Sequence, residues 1–290
     1  MWIWLFFIFL LSILVYLLVA YSLRWYDLSN RPEYFQRRIQ PPKLADESSP
    51  PAAVILGSFL LEYFYTFVHV LLLVADYLLL PVQSILPAGS KPPNPDDPRF
   101  VILVHGFMMR GGVMRWLKLR LNHAGWRNVY IFTYAPPWKD IPHFAGQLNA
   151  FIEELAIGEP DLKFDLVCHS MGGLVARYYI HELGGSCRVR NMVTLGTPHQ
   201  GSNLWGFALG ASGIQICPRN PWLIKLAGHK PKGYRLTCIY SDFDELVIPY
   251  ENASLPLFGV ENKLVNYVGH VGLVFNHRVV ELVCKALGEG

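Results

Sequence analysis

The stretch Phe164-Asp165-Leu166-Val167-Cys168-His169-Ser170-Met171-Gly172-Gly173-Leu174, residues 164–174, decides how the rest of the chain is read. Phe164 to Val167 has the composition of a short strand, and a helical pattern continues from the glycine pair over Leu174 to Leu183. A serine on such a strand-to-helix turn is held with its Oγ exposed, and small flanking residues let strand and helix approach closely. Cys168 stands where the common form of this turn has glycine, and cysteine is small enough to fit. A Ser-x-Gly turn is weak evidence alone, so its weight depends on what surrounds it.

On either side, short apolar runs alternate with helical patterns. Phe100 to Val104, Asn128 to Tyr134, Asn191 to Leu195, Arg235 to Tyr240 and Lys263 to Val268 read as strands. Between them Phe144, Leu148, Phe151, Ile152 and Leu155 share one helical face. This alternation predicts a mostly parallel sheet with helices on both faces, and such sheets bind ligands at the carboxyl ends of their strands. The domain so defined covers residues 99–290.

A serine nucleophile needs a base and an acid to orient it, in the chain order Ser, Asp, His for this architecture. The strand ending at Tyr240 leads into Ser241-Asp242-Phe243-Asp244-Glu245, where three acids compete. Asp244 is chosen because it lies just past the strand end, with Val247 and Pro249 closing the loop; Asp242 is the second choice. His270, on a loop in Val268-Gly269-His270-Val271-Gly272, is the candidate base, ahead of His277 in the terminal helical pattern. The first strand ends in His105-Gly106-Phe107, so the backbone N–H groups of Phe107 and Met171 are the candidate oxyanion donors. His105 reads as a residue packing that turn rather than as a base.

His105-Gly106-Phe107, Cys168 to Gly173 and Gly196-Thr197-Pro198-His199-Gln200-Gly201 resemble, in this order, the motifs of bacterial lipases and esterases of the α/β-hydrolase superfamily. The resemblance covers about residues 100–287 and rests on the ordered set. It implies an α/β-hydrolase fold and cleavage of carboxylic esters of apolar acyl chains by Ser170, Asp244 and His270. It also implies that the Gly196–Gly201 segment lines the site beside the nucleophile, with His199 structural. His105, His169, Thr197, His199, Trp205 and Phe207 are the candidate substrate-site residues. Some relatives bind calcium through an aspartate two positions beyond the catalytic histidine; Gly272 stands there, so no metal is expected, and no cofactor. The same residues are also compatible with acyl transfer or thioester cleavage, and a catalytically silent membrane scaffold is the reading from another class. Residues 201–232 are too apolar for an exposed loop, which fits either a cap over an acyl pocket or an excursion of the core.

The first 98 residues are of another kind. Residues 1–23 carry no charged side chain and are long enough to cross a bilayer, with neither a basic start nor a small-x-small cleavage site to mark a removed signal. Residues 24–51 read as a polar, Pro-rich connector and 81–98 as a Pro-rich hinge. Residues 52–80 form a second apolar helix, spanning or lying in the interface. Glu62, His69 and Asp76 recur at intervals of seven and, with Ser58 and Thr66, form one polar stripe. Such a stripe inside lipid would have to face the first helix, another protomer or the catalytic domain; on an interfacial helix it would face water. The connector's Arg24, Arg31, Arg37, Arg38 and Lys43 stay cytoplasmic by the positive-inside rule. The catalytic domain then lies outside if both helices span, the periplasmic side of a bacterial inner membrane, and inside if only the first does.

Composition agrees with these readings. Hydrophobic residues make up 52% of the chain and charged residues 16%, with a formal net charge of +3 and no basic-aromatic groove, so nucleic acid is not an expected partner. Lipid or another apolar ester is, together with a membrane. The five cysteines have no zinc spacing, and a disulfide among Cys187, Cys217 and Cys238 is left open. Nothing in the sequence sets the oligomeric state.

Overall fold

A computed structural model describes residues 2–31, 51–83, 97, 99–159 and 161–288. Most of the connector and hinge expectations lie outside these residues. The described elements are α1 (Trp2–Ser29), α2 (Ala52–Gln83), β1 (Phe100–Val104), α3 (Arg115–His123), β2 (Asn128–Phe132), α4 (Ile141–Leu155), β3 (Phe164–His169), α5 (Gly172–Glu182), β4 (Val189–Leu195), α6 (Gly210–Gln215), α7 (Pro221–Gly228), β5 (Arg235–Ser241), β6 (Val260–Val265), α8 (Gly272–Phe275) and α9 (His277–Gly288).

The six strands form one sheet in the order β2-β1-β3-β4-β5-β6, and every neighbouring pair is parallel. A parallel sheet is covered on both faces, which is why β1 and β3 are buried throughout. Alternate residues feed opposite cores. Ile102, Val104, Leu166 and Cys168 pack with Phe144, Leu148 and Ile152 of α4 and with Leu174 and Val175 of α5. Val101, Leu103 and Val167 pack with Leu117 and Leu121 of α3 and with Val279, Val280 and Val283 of α9. Local chemistry sets the helix starts: Asp140 accepts the N–H of His143 at 2.9 Å to open α4, and Asn220 accepts that of Trp222 at 3.0 Å to open α7.

The expected sixth strand, Lys263 to Val268, is displaced: β6 runs from Val260 to Val265. It pairs with β5 alone, and an edge strand can carry Glu261 and Asn262, so its polar start hid it from a reading based on apolar runs. Within the segment 201–232 burial is uneven. Leu223 and Leu226 of α7 are buried in the core, whereas Phe207, Leu209 and Ile214 are exposed. All five cysteines are free thiols.

The two N-terminal helices, both long and apolar enough to cross a membrane, pair antiparallel. The Tyr63 hydroxyl donates to the Leu10 carbonyl at 3.0 Å, and Tyr21 packs edge-on against Phe59. Helix α1 runs six residues beyond the expected end. Its extra turn and the residues just past it are held by the sheet domain: Arg24 donates to the Asp242 carbonyl and covers the Phe243 ring, and beyond the helix end Arg31 pairs with Glu251 at 2.7 Å. Helix α2 runs to Gln83 rather than ending at residue 80. Its polar stripe faces neither lipid nor water but the sheet domain. Asp76 accepts the Gly112 N–H at 2.6 Å and pairs with Arg115 at 2.8 Å, Tyr65 stacks on Phe275, and Glu62 is bonded inside the domain. From residue 62 to residue 76 the helix therefore lies along the domain for about 20 Å at ~1.5 Å per residue. Its other face, including Leu60, Leu61, Phe64 and Leu71, is exposed.

Candidate active site

Ser170 sits between the end of β3 and the start of α5 with φ 55°, in the left-handed region that non-glycine residues seldom occupy. Two bonds to the end of β4 over-determine this conformation. The Ser170 N–H donates to the Leu195 carbonyl at 2.8 Å, and its carbonyl accepts the Thr197 hydroxyl at 2.8 Å. The glycines that follow make room. A Cβ on Gly172 would lie 2.4 Å from the His105 carbonyl oxygen, and one on Gly173 would lie 2.2 Å from Thr197 Oγ1. Cys168 is fully buried in the core, and burial pushes its thiol pKa up, so it is inert packing.

The loop after β5 carries the candidate acid. Asp244 is fully buried; its Oδ1 accepts the N–H groups of Leu246 and Val247 at 2.9 and 2.8 Å, and its Oδ2 lies 2.8 Å from His270 Nδ1. Because an ionised carboxylate only accepts hydrogen bonds, Nδ1 carries the proton and Nε2 is left basic. Asp242 instead accepts the Tyr267 N–H at 3.0 Å, away from the imidazole, and His277 is exposed at the start of α9. Burial pulls the His270 pKa down, but the Asp244 charge and hydrogen bond, with help from Glu245, outweigh it and leave the pKa raised.

Gly196 backs the pair: a Cβ there would lie 3.0 Å from Asp244 Oδ2 and 3.2 Å from His270 Nδ1. The residue after Gly196, Thr197, is the one bonded to Ser170, so a single short turn touches all three side-chain candidates or their backbone. His169 adds a second link, its Nε2 donating to the His270 carbonyl at 3.0 Å with the two rings 4.8 Å apart. The Ser170 hydroxyl itself has no hydrogen-bond partner among the described residues. Catalytic hydrogen bonds of this kind commonly tighten only when substrate is bound.

The loop after β1 closes on the same point. A Cβ on Gly106 would lie 2.8 Å from that of Ser170, and the Tyr134 hydroxyl, 3.0 and 2.9 Å from the His105 and Gly106 carbonyls, ties the loop down. Among the described residues neither the Phe107 nor the Met171 N–H has an acceptor. Unpaired donors beside a candidate nucleophile are what a developing oxyanion would require.

Four of the expected substrate-site residues are fully buried supports. His105 stacks on Tyr134, with its pKa lowered to about 4 by burial. His169 and Thr197 make the bonds just described. His199 lies within 3.0 Å of Thr194 Oγ1 and 3.4 Å of Cys238 Sγ inside the sheet layer, and burial holds its pKa well down. Trp205 and Phe207 are exposed. Sequence reasoning gave no role to Tyr134, and it weighed Glu245 only as a rival to Asp244. Glu245 is fully buried and accepts the His270 N–H at 2.9 Å. Burial, with repulsion from Asp244, pushes its pKa up to about 7.

Comparison with known proteins bears on the family and the fold. The model of the palmitoyl protein thioesterase family matches residues 100–253, more than half of the chain. Among solved structures, Bacillus licheniformis lipase BlEst2 in mature form is similar at 16% identity and TM-score 0.58, over 68% of this chain and 94% of that one. Aspergillus fumigatus lipase B is similar at 20% identity and TM-score 0.61, over 70% of this chain and 55% of that one. A Listeria innocua gene product matches at 16% identity and TM-score 0.52, over 67% of this chain and 95% of that one. At these identities the structures establish the fold, that of the α/β-hydrolases.

Proposed function

Because the chain belongs to the palmitoyl protein thioesterase family, we propose that it is a serine hydrolase that removes an apolar acyl group from an ester or thioester through an acyl-enzyme on Ser170. The observation that carries this reading is the buried Asp244–His270 hydrogen bond of 2.8 Å, set behind a serine held at φ 55°. His270 Nε2 takes the Ser170 proton as Oγ attacks the acyl carbonyl. The Phe107 and Met171 N–H groups hold the oxyanion, and Asp244 stabilises the imidazolium. His270 then gives that proton to the departing alcohol or thiol. Water, deprotonated by His270, attacks the acyl-enzyme, and Ser170 is restored.

The apolar acyl group is supported by the exposed Phe207, Leu209 and Ile214 of the segment after β4. The outer faces of α1 and α2 attach the chain to a membrane, where such acyl chains reside. The test is labelling with a fluorophosphonate probe together with turnover of a p-nitrophenyl ester and a palmitoyl thioester. The wild type should label at Ser170, and Ser170→Ala should lose the label and slow both substrates by on the order of 10⁴ or more with the fold intact. Undiminished turnover by Ser170→Ala would remove that residue from the chemistry. Acyl transfer to an added alcohol, read from the products, would identify the acceptor as something other than water.

A further inference from the structure

We propose that Glu62, from the apolar helix α2, is a positioning residue for His270, so that the N-terminal hairpin is part of the active site's support. The proposal rests on the hydrolase reading above. Glu62 is 1% exposed, although it sits on a helix whose other face is bare apolar surface. Its Oε1 accepts the Val271 N–H at 2.7 Å and its Oε2 accepts the Gly272 N–H at 2.9 Å. The preceding amide, that of His270, goes to Glu245 at 2.9 Å. Three successive backbone amides are thus fixed by two buried carboxylates, while a third, Asp244, fixes the imidazole. The loop has no alternative partners for Val271 and Gly272 among the described residues, so without Glu62 it loses the bonds that set where the imidazole points.

The loop sequence is shaped to this carboxylate. A Cβ on Gly269 would lie 2.2 Å from Glu62 Cδ, and one on Gly272 would lie 2.7 Å from Glu62 Oε2. Glycine on both sides of His270 therefore clears the space that Glu62 fills. Tyr65, one turn further along α2, stacks on Phe275 of α8 at 5.1 Å and packs beside Gly272, but among the described residues it makes no hydrogen bond to the loop's amides. It provides the comparison that separates positioning from general docking of the helix.

The experiment uses the full chain in detergent micelles. Wild type, Glu62→Gln and Tyr65→Leu are compared by the rate of fluorophosphonate labelling as a function of pH and by the low-field NMR signal of the His270 Nδ1 proton. Glu62→Asp, which keeps the carboxyl group one methylene short, serves if Glu62→Gln does not fold by near-UV circular dichroism. The charged and titratable groups facing His270 are Asp244 and Glu245 of the loop after β5, His169 at the end of β3, and Glu62 and His69 of α2. Glu62→Gln should label at least 10-fold more slowly, with the His270 signal broadened or lost and the acid limb moved to lower pH as the imidazolium loses its alignment with Asp244. Glu62→Asp should fall between Glu62→Gln and the wild type. Tyr65→Leu should stay within 3-fold of the wild type and keep the signal. Equal damage by Tyr65→Leu, or wild-type labelling and signal in the folded Glu62 variant, overturns the proposal. If the wild type neither labels nor hydrolyses an acyl ester while the His270 signal still responds to Glu62→Gln alone, the hydrolase reading fails and the positioning role stands.

Discussion

Replacing Asp244 by Asn changes one atom of the site and should disable it. In the wild type Oδ1 accepts two backbone N–H groups and Oδ2 accepts from His270 Nδ1. An asparagine keeps its carbonyl oxygen on the Leu246 and Val247 amides, where an NH₂ group would meet two donors. Its NH₂ is then directed at Nδ1, which must accept, and the ring proton moves to Nε2 on the serine side. The imidazole remains in place but cannot take the Ser170 proton. A wrong-tautomer base costs about 10⁴ in kcat, or roughly 5 kcal/mol at ~1.36 kcal/mol per factor of ten. The imidazolium also loses its counter-charge, so the acid limb of the rate should move below that of the wild type. Single-turnover acylation with a p-nitrophenyl ester measures both effects, and near-UV circular dichroism checks that the variant is folded. The reasoning fails if Asp244→Asn keeps its rate within 10-fold, or if Asp242→Asn, whose carboxylate accepts the Tyr267 N–H rather than bonding His270, loses as much.

The remaining expectations concern pH, packing and a buried cation. With the His270 pKa above its ordinary 6.5, the neutral imidazole is under about a quarter of the total at pH 6, so kcat/KM there should fall below a quarter of its plateau; a flat profile to pH 5.5 contradicts this. The same shift adds stability that is fully present below pH 6.5 and lost as pH rises through the folded pKa, the opposite direction to activity. Two Gly→Ala substitutions should have opposite signs in urea melts. Gly172→Ala puts a Cβ 2.4 Å from the His105 backbone oxygen and should destabilise by about 2 kcal/mol while lowering turnover. Gly146→Ala, exposed in α4 with open space around it, should stabilise by about 0.5–1 kcal/mol. Arg177 is fully buried and donates from Nη2 to the Leu226 and His229 carbonyls at 2.7 and 3.1 Å. Arg177→Met should cost about 2 kcal/mol, because relief of the buried charge offsets part of the penalty for stranding two acceptors; a change under 0.5 kcal/mol would show these bonds to be dispensable.

What could be read from residues alone follows the physics of burial. Strands covered on both faces, such as Phe100–Val104, are continuous apolar runs, and they mark themselves. The edge strand Val260–Val265 needs only its pairing bonds, so Glu261, Asn262 and Lys263 disguised it. Ser170 was legible because a strand, a small-residue turn and a helix must occur together for its conformation to be possible. Asp244 and Asp242 differ by which carboxylate bends back over its own loop, a matter of two backbone N–H groups that composition does not encode. Tyr134 gave no signal, since its hydroxyl works through carbonyls 28 and 29 residues away in the chain.

Glu62, His69 and Asp76 were legible as a problem and not as an answer. Seven-residue spacing puts three ionisable side chains on one stripe of an otherwise apolar helix, and lipid cannot satisfy them. The sequence therefore demands a polar partner without choosing among the first helix, another protomer and the domain that follows. Long-range contact supplies it: the unpaired amides of Val271, Gly272 and Gly112 are what the Glu62 and Asp76 carboxylates need, and those carboxylates are what the amides need. A helix that served only as an anchor would be free to replace these residues with leucine at a gain in apolar surface. Their presence ties the seating of α2 to the loops that follow β1 and carry His270, and the membrane-facing and catalytic halves of the chain are coupled through buried hydrogen bonds.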